Sequence, residues 1–146
     1  MERQHSAFLS DALVVGWPEI DAQHEQIFAF LETLKSSCFG SACLPMEGFR
    51  RLVMDFEQHF TDEERLADAF GLGGAAHEIA HQDTLRTIRG SLQGVLCGAV
   101  DAYSFLRYME FWLERHIVHF DKPFVAEMKK CGRLCSPPGL DDARVG

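Results

Sequence analysis

The stretch HEIAHQD carries His77 and His81 four residues apart. On an α-helix that spacing leaves two side chains about 40° apart around the axis and one turn apart along it, so both imidazoles can reach one metal ion. Alone, such a pair is a weak signal, because surface helices carry it freely. Its weight changes because the device recurs. In HFTDEE, His59 and Glu63 are again i and i+4, while His24 and the pair His116 and Asp121 fall in two further helical stretches. Together these residues make a candidate cage of five imidazoles and two carboxylates.

The elements that must position this set read as helices throughout. Asp21 is a candidate N-cap, and Ile27, Phe28, Leu31 and Leu34 follow His24 at three- and four-residue steps, which predicts a first helix ending near Cys38. FGSACLP is a break, with Gly40 as a stop and Pro45 suited to a first helical turn. From Met46 to Phe70 the set Phe49, Leu52, Val53, Phe56, Phe60, Leu66, Ala67 and Phe70 keeps the helical period. His59 and Glu63 fall inside that stripe, where an unpaired charge is costly, so their burial calls for a partner such as a metal. GLGG at 71–74 ends the second helix, and the inner side of the third reads His77, His81, Thr84, Leu85, Ile88 and Leu92. Gly90, Gly94 and Gly98 fit either close helix packing or a fraying end, which is expected between Gly94 and Gly98.

Asp101 caps a fourth helix with the stripe Phe105, Tyr108, Met109, Trp112, Leu113, His116, Ile117 and Phe120. Asp121 follows His116 by five residues, about 140° around an ideal helix, so the two converge only if the turn loosens. Pro123 offers a reason, since it biases Lys122 away from helical angles. A short helix from Phe124 to Lys130 is expected next. The chain thus divides into an N-terminal arm (1–16), a helical domain (17–130) and a tail or linker (131–146). Nothing suggests a strand. Short connections between four helices predict an all-α fold, an up-down-up-down antiparallel four-helix bundle about 30 Å long with a short C-terminal helix.

The bulk numbers agree with one domain and narrow its partners. The 146 residues are 47% hydrophobic, enough for a core without staples. A formal charge of -8 argues against nucleic acid or an anionic membrane surface. No apolar run spans a bilayer, and MERQHSAF lacks the basic flank and apolar core of a signal peptide, so the expected location is cytoplasmic. Five cysteines do not form a disulfide framework. Cys38, Cys43 and Cys97 read as small buried or loop residues; Cys131 and Cys135, one turn apart, leave open a redox contact or a thiolate metal pair. His5 and His119 are left over, His119 as a residue behind the ligands or on the surface.

Imidazole suits iron, copper, nickel and zinc, and bridging carboxylates suit two like cations a few ångströms apart. The set His24, His59, Glu63, His77, His81, His116 and Asp121 is too large for one ion. Two octahedral ions that share both carboxylates and one solvent-derived bridge use all of these donors and leave one position open.

WPEIDAQH, HFTDEE, HEIAH and WLERHIVHFD resemble, in order, the motifs of the hemerythrins, most closely the bacterial ones, over roughly residues 17–130. Every ligand position of that family's pattern is occupied. The turn before HxxxH, LGGAA, departs from the family's usual aromatic and proline, and Leu85 stands where an aromatic is common. The resemblance implies two iron ions with an oxo or hydroxo bridge: one held by His77, His81 and His116, the other by His24 and His59, with Glu63 and Asp121 bridging. It implies O₂ binding at the open position of the second iron, where small anions could also bind, and Trp112 and Leu113, matching WLxxH, as candidates for the apolar wall of the O₂ pocket. Trp112 is equally consistent with plain core.

The expected function is therefore non-enzymatic oxygen binding, for storage or transport. A histidine-rich site favours reversible binding over the oxidations of carboxylate-rich di-iron bundles. Alternatives are an O₂- or redox-sensing domain with an output domain after residue 130, a peroxide- or NO-handling di-iron enzyme, a two-zinc hydrolase and iron storage.

Overall fold

The computed structural model describes residues 9–40, 46–73 and 75–134, excepting the side chains of 39–40, 75–77 and 132–134. Their regular structure is all helical, with no strand among the described residues. A 3-10 turn, Asp11–Leu13, precedes α1 (Pro18–Gly40), α2 (Met46–Ala69), α3 (Ala75–Leu96), α4 (Ala102–His116), a π-helical turn (Ile117–Asp121) and α5 (Lys122–Leu134). No described helix is long and apolar enough to cross a membrane. The expectations for His5, Cys43, Pro45, Cys135 and residues 135–146 lie outside the described residues, as does the side chain of His77.

Each helix starts and stops for a local reason. α1 begins three residues before Asp21, correcting the expected cap: Pro18, whose φ is already helical and whose missing N–H costs nothing in a first turn, opens it. Asp21 still serves that end, accepting hydrogen bonds from the backbone N–H of Val15 at 2.8 Å and Gly16 at 3.0 Å. α2 closes on Gly71, at φ 71°, with Leu72 N–H bonded to the Ala67 carbonyl and Gly71 N–H to that of Asp68. α3 runs through Gly90 and Gly94 and closes the same way at Gly98, inside the expected interval. Asp101 caps α4 as expected, accepting from Ser104 N–H.

α1 packs against α2 and α4, and α3 against the same two. Trp17 at the start of α1 meets Phe70 past the end of α2, while Phe49 and Phe105, near the starts of α2 and α4, meet each other. The main core joins Ile27, Phe28, Leu31 and Leu34 to Phe49, Leu52, Phe56 and Phe60, with Ile88, Leu106, Met109 and Leu113 closing it. The arm is not a bare strap: Leu9 is buried in this core, with Leu13 and Val15 packed on it. A second cluster, Ile20, Val125 and Met128 with Trp17, Leu66 and Phe70, seats α5 against the start of α1 and the end of α2.

Two expectations for the fourth helix need correction. Tyr108 and Phe120 are 46% and 48% exposed, and Trp112 is half-buried, because the face of α4 turned inward is set by Phe105, Leu106, Met109, Leu113, His116 and Ile117, leaving those three on its flank. The loosening between His116 and Asp121 is there, but Lys122 is not its cause, since it keeps helical angles (φ -63°, ψ -49°). The chain widens one step earlier, with Lys122 N–H bonded to the carbonyl of Ile117 five residues back. A π turn of this kind also spares the clash that Pro123 would have with the carbonyl four residues before it in a regular helix. The helix resumes at once, so α5 is longer than expected at both ends.

Candidate metal centre

Six titratable side chains are buried among the described residues: His24 on α1, His59 and Glu63 on α2, His81 on α3, His116 on α4, and Asp121 at the end of the π turn. All six were expected from the sequence, and all six come together. The seventh, His77, lies one turn before His81 on α3, with its side chain outside the described residues.

The arrangement divides into halves that share the two carboxylates. Asp121 Oδ2 stands 2.8 Å from His24 Nε2 and 3.6 Å from His59 Nε2, while its Oδ1 stands 3.1 Å from His116 Nε2. Glu63 divides in the same sense: Oε2 lies 3.2 Å from His59 Nε2, and Oε1 lies 3.3 Å from His81 Nε2 and 3.8 Å from His116 Nε2. One half is thus His24, His59, Glu63 and Asp121, the other His81 and His116 with Glu63, and within each the donor atoms lie within 4.8 Å of one another. Donors about 2.1 Å from one ion stand about 3 Å apart when they are neighbours in an octahedral shell. The separations fit that spacing.

The π turn is what makes Asp121 a member. Five residues span one turn there, so His116 and Asp121 line up as i and i+4 residues do on an ordinary helix, and the carboxylate reaches across to His24, 97 positions away in sequence.

Geometry also separates this cluster from an ordinary salt-bridge network. Asp121 Oδ1 and His116 Nε2 stand 3.1 Å apart as a charged contact, yet both are buried and neither makes a hydrogen bond of good geometry. Orphaned polar atoms in a dry interior are costly, and a cation between them satisfies both.

Electrostatics point the same way. Burial opposes charging of His59, yet Glu63 and Asp121 outweigh it and push its pKa up to about 10. For His116 burial is likewise outweighed by Asp121 and Glu63, and the pKa rises to about 9. Burial prevails at His24, lowering its pKa despite the hydrogen bond to Asp121. Asp121 itself, though burial and Glu63 disfavour its charge, is held below the usual carboxylate range by His116 and His24. The raised pKa values of His59 and His116 favour a proton on one imidazole in each half of the protein alone. Positive charge is what each half calls for, and a metal cation can take the place of each proton.

Behind the donors stand residues that the sequence reading missed. His59 Nδ1 donates to Gln23 Oε1 at 2.8 Å, and the other end of that amide donates to Asp62, which fixes which atom faces the histidine. His81 Nδ1 donates to Glu64 Oε2 at 2.8 Å, and the His81 ring stacks on Phe60, centroids 4.1 Å apart and 9° from parallel. Gln23, Asp62 and Glu64 sit beside donors in WPEIDAQH and HFTDEE, so adjacency was the available signal.

The residues expected to wall a ligand pocket differ from one another. Leu113 is fully buried in the main core with Ile27, Phe60 and Ile117. Trp112 stacks on His116 at 4.7 Å and 15°, meets Phe56 and Phe60 edge-on, and lines surface cavities, including one of about 300 Å³ with Thr84, Arg115, His116, His119 and Phe120. His119 is exposed there, which places it on the surface. Cys38 is half-buried, Cys97 exposed, and the half-buried Cys131 lies 3.7 Å from the Phe70 carbonyl.

Set against protein-family models, curated proteins and solved structures, the chain finds no match in any of the three.

Proposed function

We propose that this chain is a hemerythrin-like up-down-up-down antiparallel four-helix bundle, a non-enzymatic, cytoplasmic protein that binds O₂ reversibly at a pair of iron ions, for storage or transport. One observation carries it: each of the two buried carboxylates has one oxygen toward the His24 and His59 side and the other toward the His81 and His116 side. Such sharing suits two cations a few ångströms apart. Two ferrous ions would supply the electrons that O₂ takes up on binding.

The protein's part is to hold, to match charge and to keep dry. His24 and His59 would hold one ion and His77, His81 and His116 the other, Glu63 and Asp121 serving both. Neutral imidazoles outnumber the carboxylates, so the site lends less anionic push toward high oxidation states than carboxylate-rich sites do. Leu113, Ile117 and Ile27 are buried in the same core as Phe60, whose ring meets His59, His81 and His116, and would supply the apolar wall. Exclusion of water there would protect the bound state from hydrolysis and stray protons.

The test is an anaerobic-to-aerobic optical titration of iron-loaded protein with iron counted per chain. Two irons, and a charge-transfer band that forms with O₂ and vanishes when O₂ is removed, are expected. Irreversible conversion to a ferric spectrum would count against reversible binding.

Sensing is the second reading, supported by a specific feature. Asp121 sits on the π turn that leads directly into α5, so any change in what it holds acts at the hinge of a helix seated on Ile20 and Phe70. A difference in amide exchange along α5 between oxygenated and oxygen-free protein would favour it.

A further inference from the structure

We infer that Glu64 strengthens the His81 half of the centre, adding to the difference in donors, so that this half takes up its ion first and holds it more tightly than the His24 and His59 half. The inference rests on the two-ion reading above and concerns residues outside the donor set.

The two halves differ in their donors, and they differ also in what stands behind one imidazole of each. In both His59 and His81, Nε2 faces Glu63, at 3.2 and 3.3 Å, so Nδ1 must carry the proton when Nε2 holds a metal. Behind His59 that proton goes to a neutral amide oxygen, Gln23 Oε1; behind His81 it goes to a carboxylate, Glu64 Oε2, at the same 2.8 Å. A hydrogen bond to an anion is roughly twice as strong as one between neutral groups. It draws the imidazole toward imidazolate character and so enriches Nε2 as a donor to a cation.

Geometry makes the effect specific to His81. Phe60, one turn before Glu64 on α2, stacks flat on the His81 ring, so one helix fixes both the plane of the imidazole and the direction of its N–H. Behind Gln23 stands Asp62, one amide removed from His59 and spread over bonds to Gln23, Gln58 and Arg65. Behind His24, Nδ1 is buried with no hydrogen-bond partner. Of these three imidazoles, His81 is the one whose Nδ1 meets a carboxylate directly. Glu64 is 31% exposed and loses part of its influence to water, yet groups in this position typically change metal affinity by roughly 10- to 100-fold.

The test uses the full chain, metal-free, titrated anaerobically with Fe²⁺ against a competing chelator, so that two stepwise dissociation constants are read. The wild type is expected to bind two ions with separated constants. Glu64→Gln should weaken the tighter constant by roughly 10-fold or more and leave the weaker one in place, while Glu64→Asp should recover part of the loss. Gln23→Glu should tighten the weaker constant and narrow the gap. In Co²⁺-loaded protein, the exchangeable imidazole N–H signals report the same contact, and Glu64→Gln should shift one of them. If Glu64→Gln leaves both constants unchanged, or weakens only the weaker one, the inference is overturned while the two-ion reading stands. Fewer than two ions on the wild type would overturn that reading and this inference with it.

Discussion

The same helices build two layers with opposite rules. Away from the candidate centre, Leu31 and Leu34 on α1, Phe49 and Leu52 on α2, and Phe105 and Leu106 on α4 form an apolar layer that is complete in itself. At the centre, His24, His59, Glu63, His81, His116 and Asp121 occupy similarly buried positions, and burying groups that can carry charge is costly unless the charges are matched. The first layer is held by exclusion of water and close packing. The second depends on charge balance, which protons supply in the protein alone and cations could supply in their place. Damage to one layer should therefore register as lost stability, and damage to the other as lost metal.

The largest effect expected is at Glu63, one of the two carboxylates that face both halves. Glu63→Ala should abolish binding of the ion pair, whereas His24→Ala should remove one ion, read as metal per chain after desalting. Retention of two ions by Glu63→Ala would break the contrast, because the polar layer would then not depend on its shared carboxylate. In the apolar layer, Phe49→Ala should cost about 3–5 kcal/mol of unfolding free energy in denaturant titration, with two ions still bound by the molecules that fold. Loss of metal there at unchanged stability would show that the layers are not separable.

Protons acting as stand-ins give a pH test of intermediate size. The folded pKa values of His59 and His116, about 10 and about 9, lie above the ordinary histidine value of 6.5. The stability they contribute is thus fully present below about pH 6.5 and is lost as pH rises through 9 to 10. Asp121, with its pKa lowered, works in the opposite sense: its contribution is lost as pH falls through its folded value. Metal-free protein should therefore melt at progressively lower temperature above pH 9, while metal-loaded protein should show a flatter profile. Equal slopes would mean that protons are not what the cations replace.

The smallest effect sharpens the boundary of the polar layer. Asp55, on α2 one turn before His59, has a buried oxygen without a hydrogen-bond partner, and burial raises its pKa against the pull of Arg51. A raised carboxylate pKa stabilises only while the group is protonated, and that stability is lost as pH rises through the folded value. Asp55→Asn should then raise Tm slightly at pH 7, with the gain closing as the pH falls far enough to protonate the carboxyl. A drop in Tm at pH 7 would show that the charge of Asp55 supports the centre.

Part of this was legible in the residues. His59 and Glu63 belong to a regular apolar stripe, so period alone predicted that they face inward, and all of its members from Phe49 to Phe60 are buried. The end of α3 and the cap of α4 were legible because glycine with positive φ and an N-terminal aspartate act within a few residues of chain. Tyr108 and Phe120 misled the same reasoning, since a helical period cannot tell the centre of a buried stripe from its flank when aromatics occupy both. The start of α1 was misplaced because two plausible signals, Pro18 and Asp21, compete within one turn.

What the sequence by itself determined is the inventory and its spacing: which residues can bind, that they sit on helices, and that paired ligands share a turn. These follow from 3.6 residues per turn and from the cost of burying an unpartnered charge, both local rules. Only the tertiary structure decided the rest. The meeting of His24 with Asp121 depends on how α1 packs against α4, which no periodicity announces, and on a π turn that the five-residue spacing called for without showing which hydrogen bond would skip a residue. The division of each carboxylate between two sides, and the choice of Glu64 for His81 against Gln23 for His59, depend on packing across helices, where differences of an ångström decide which polar atoms meet.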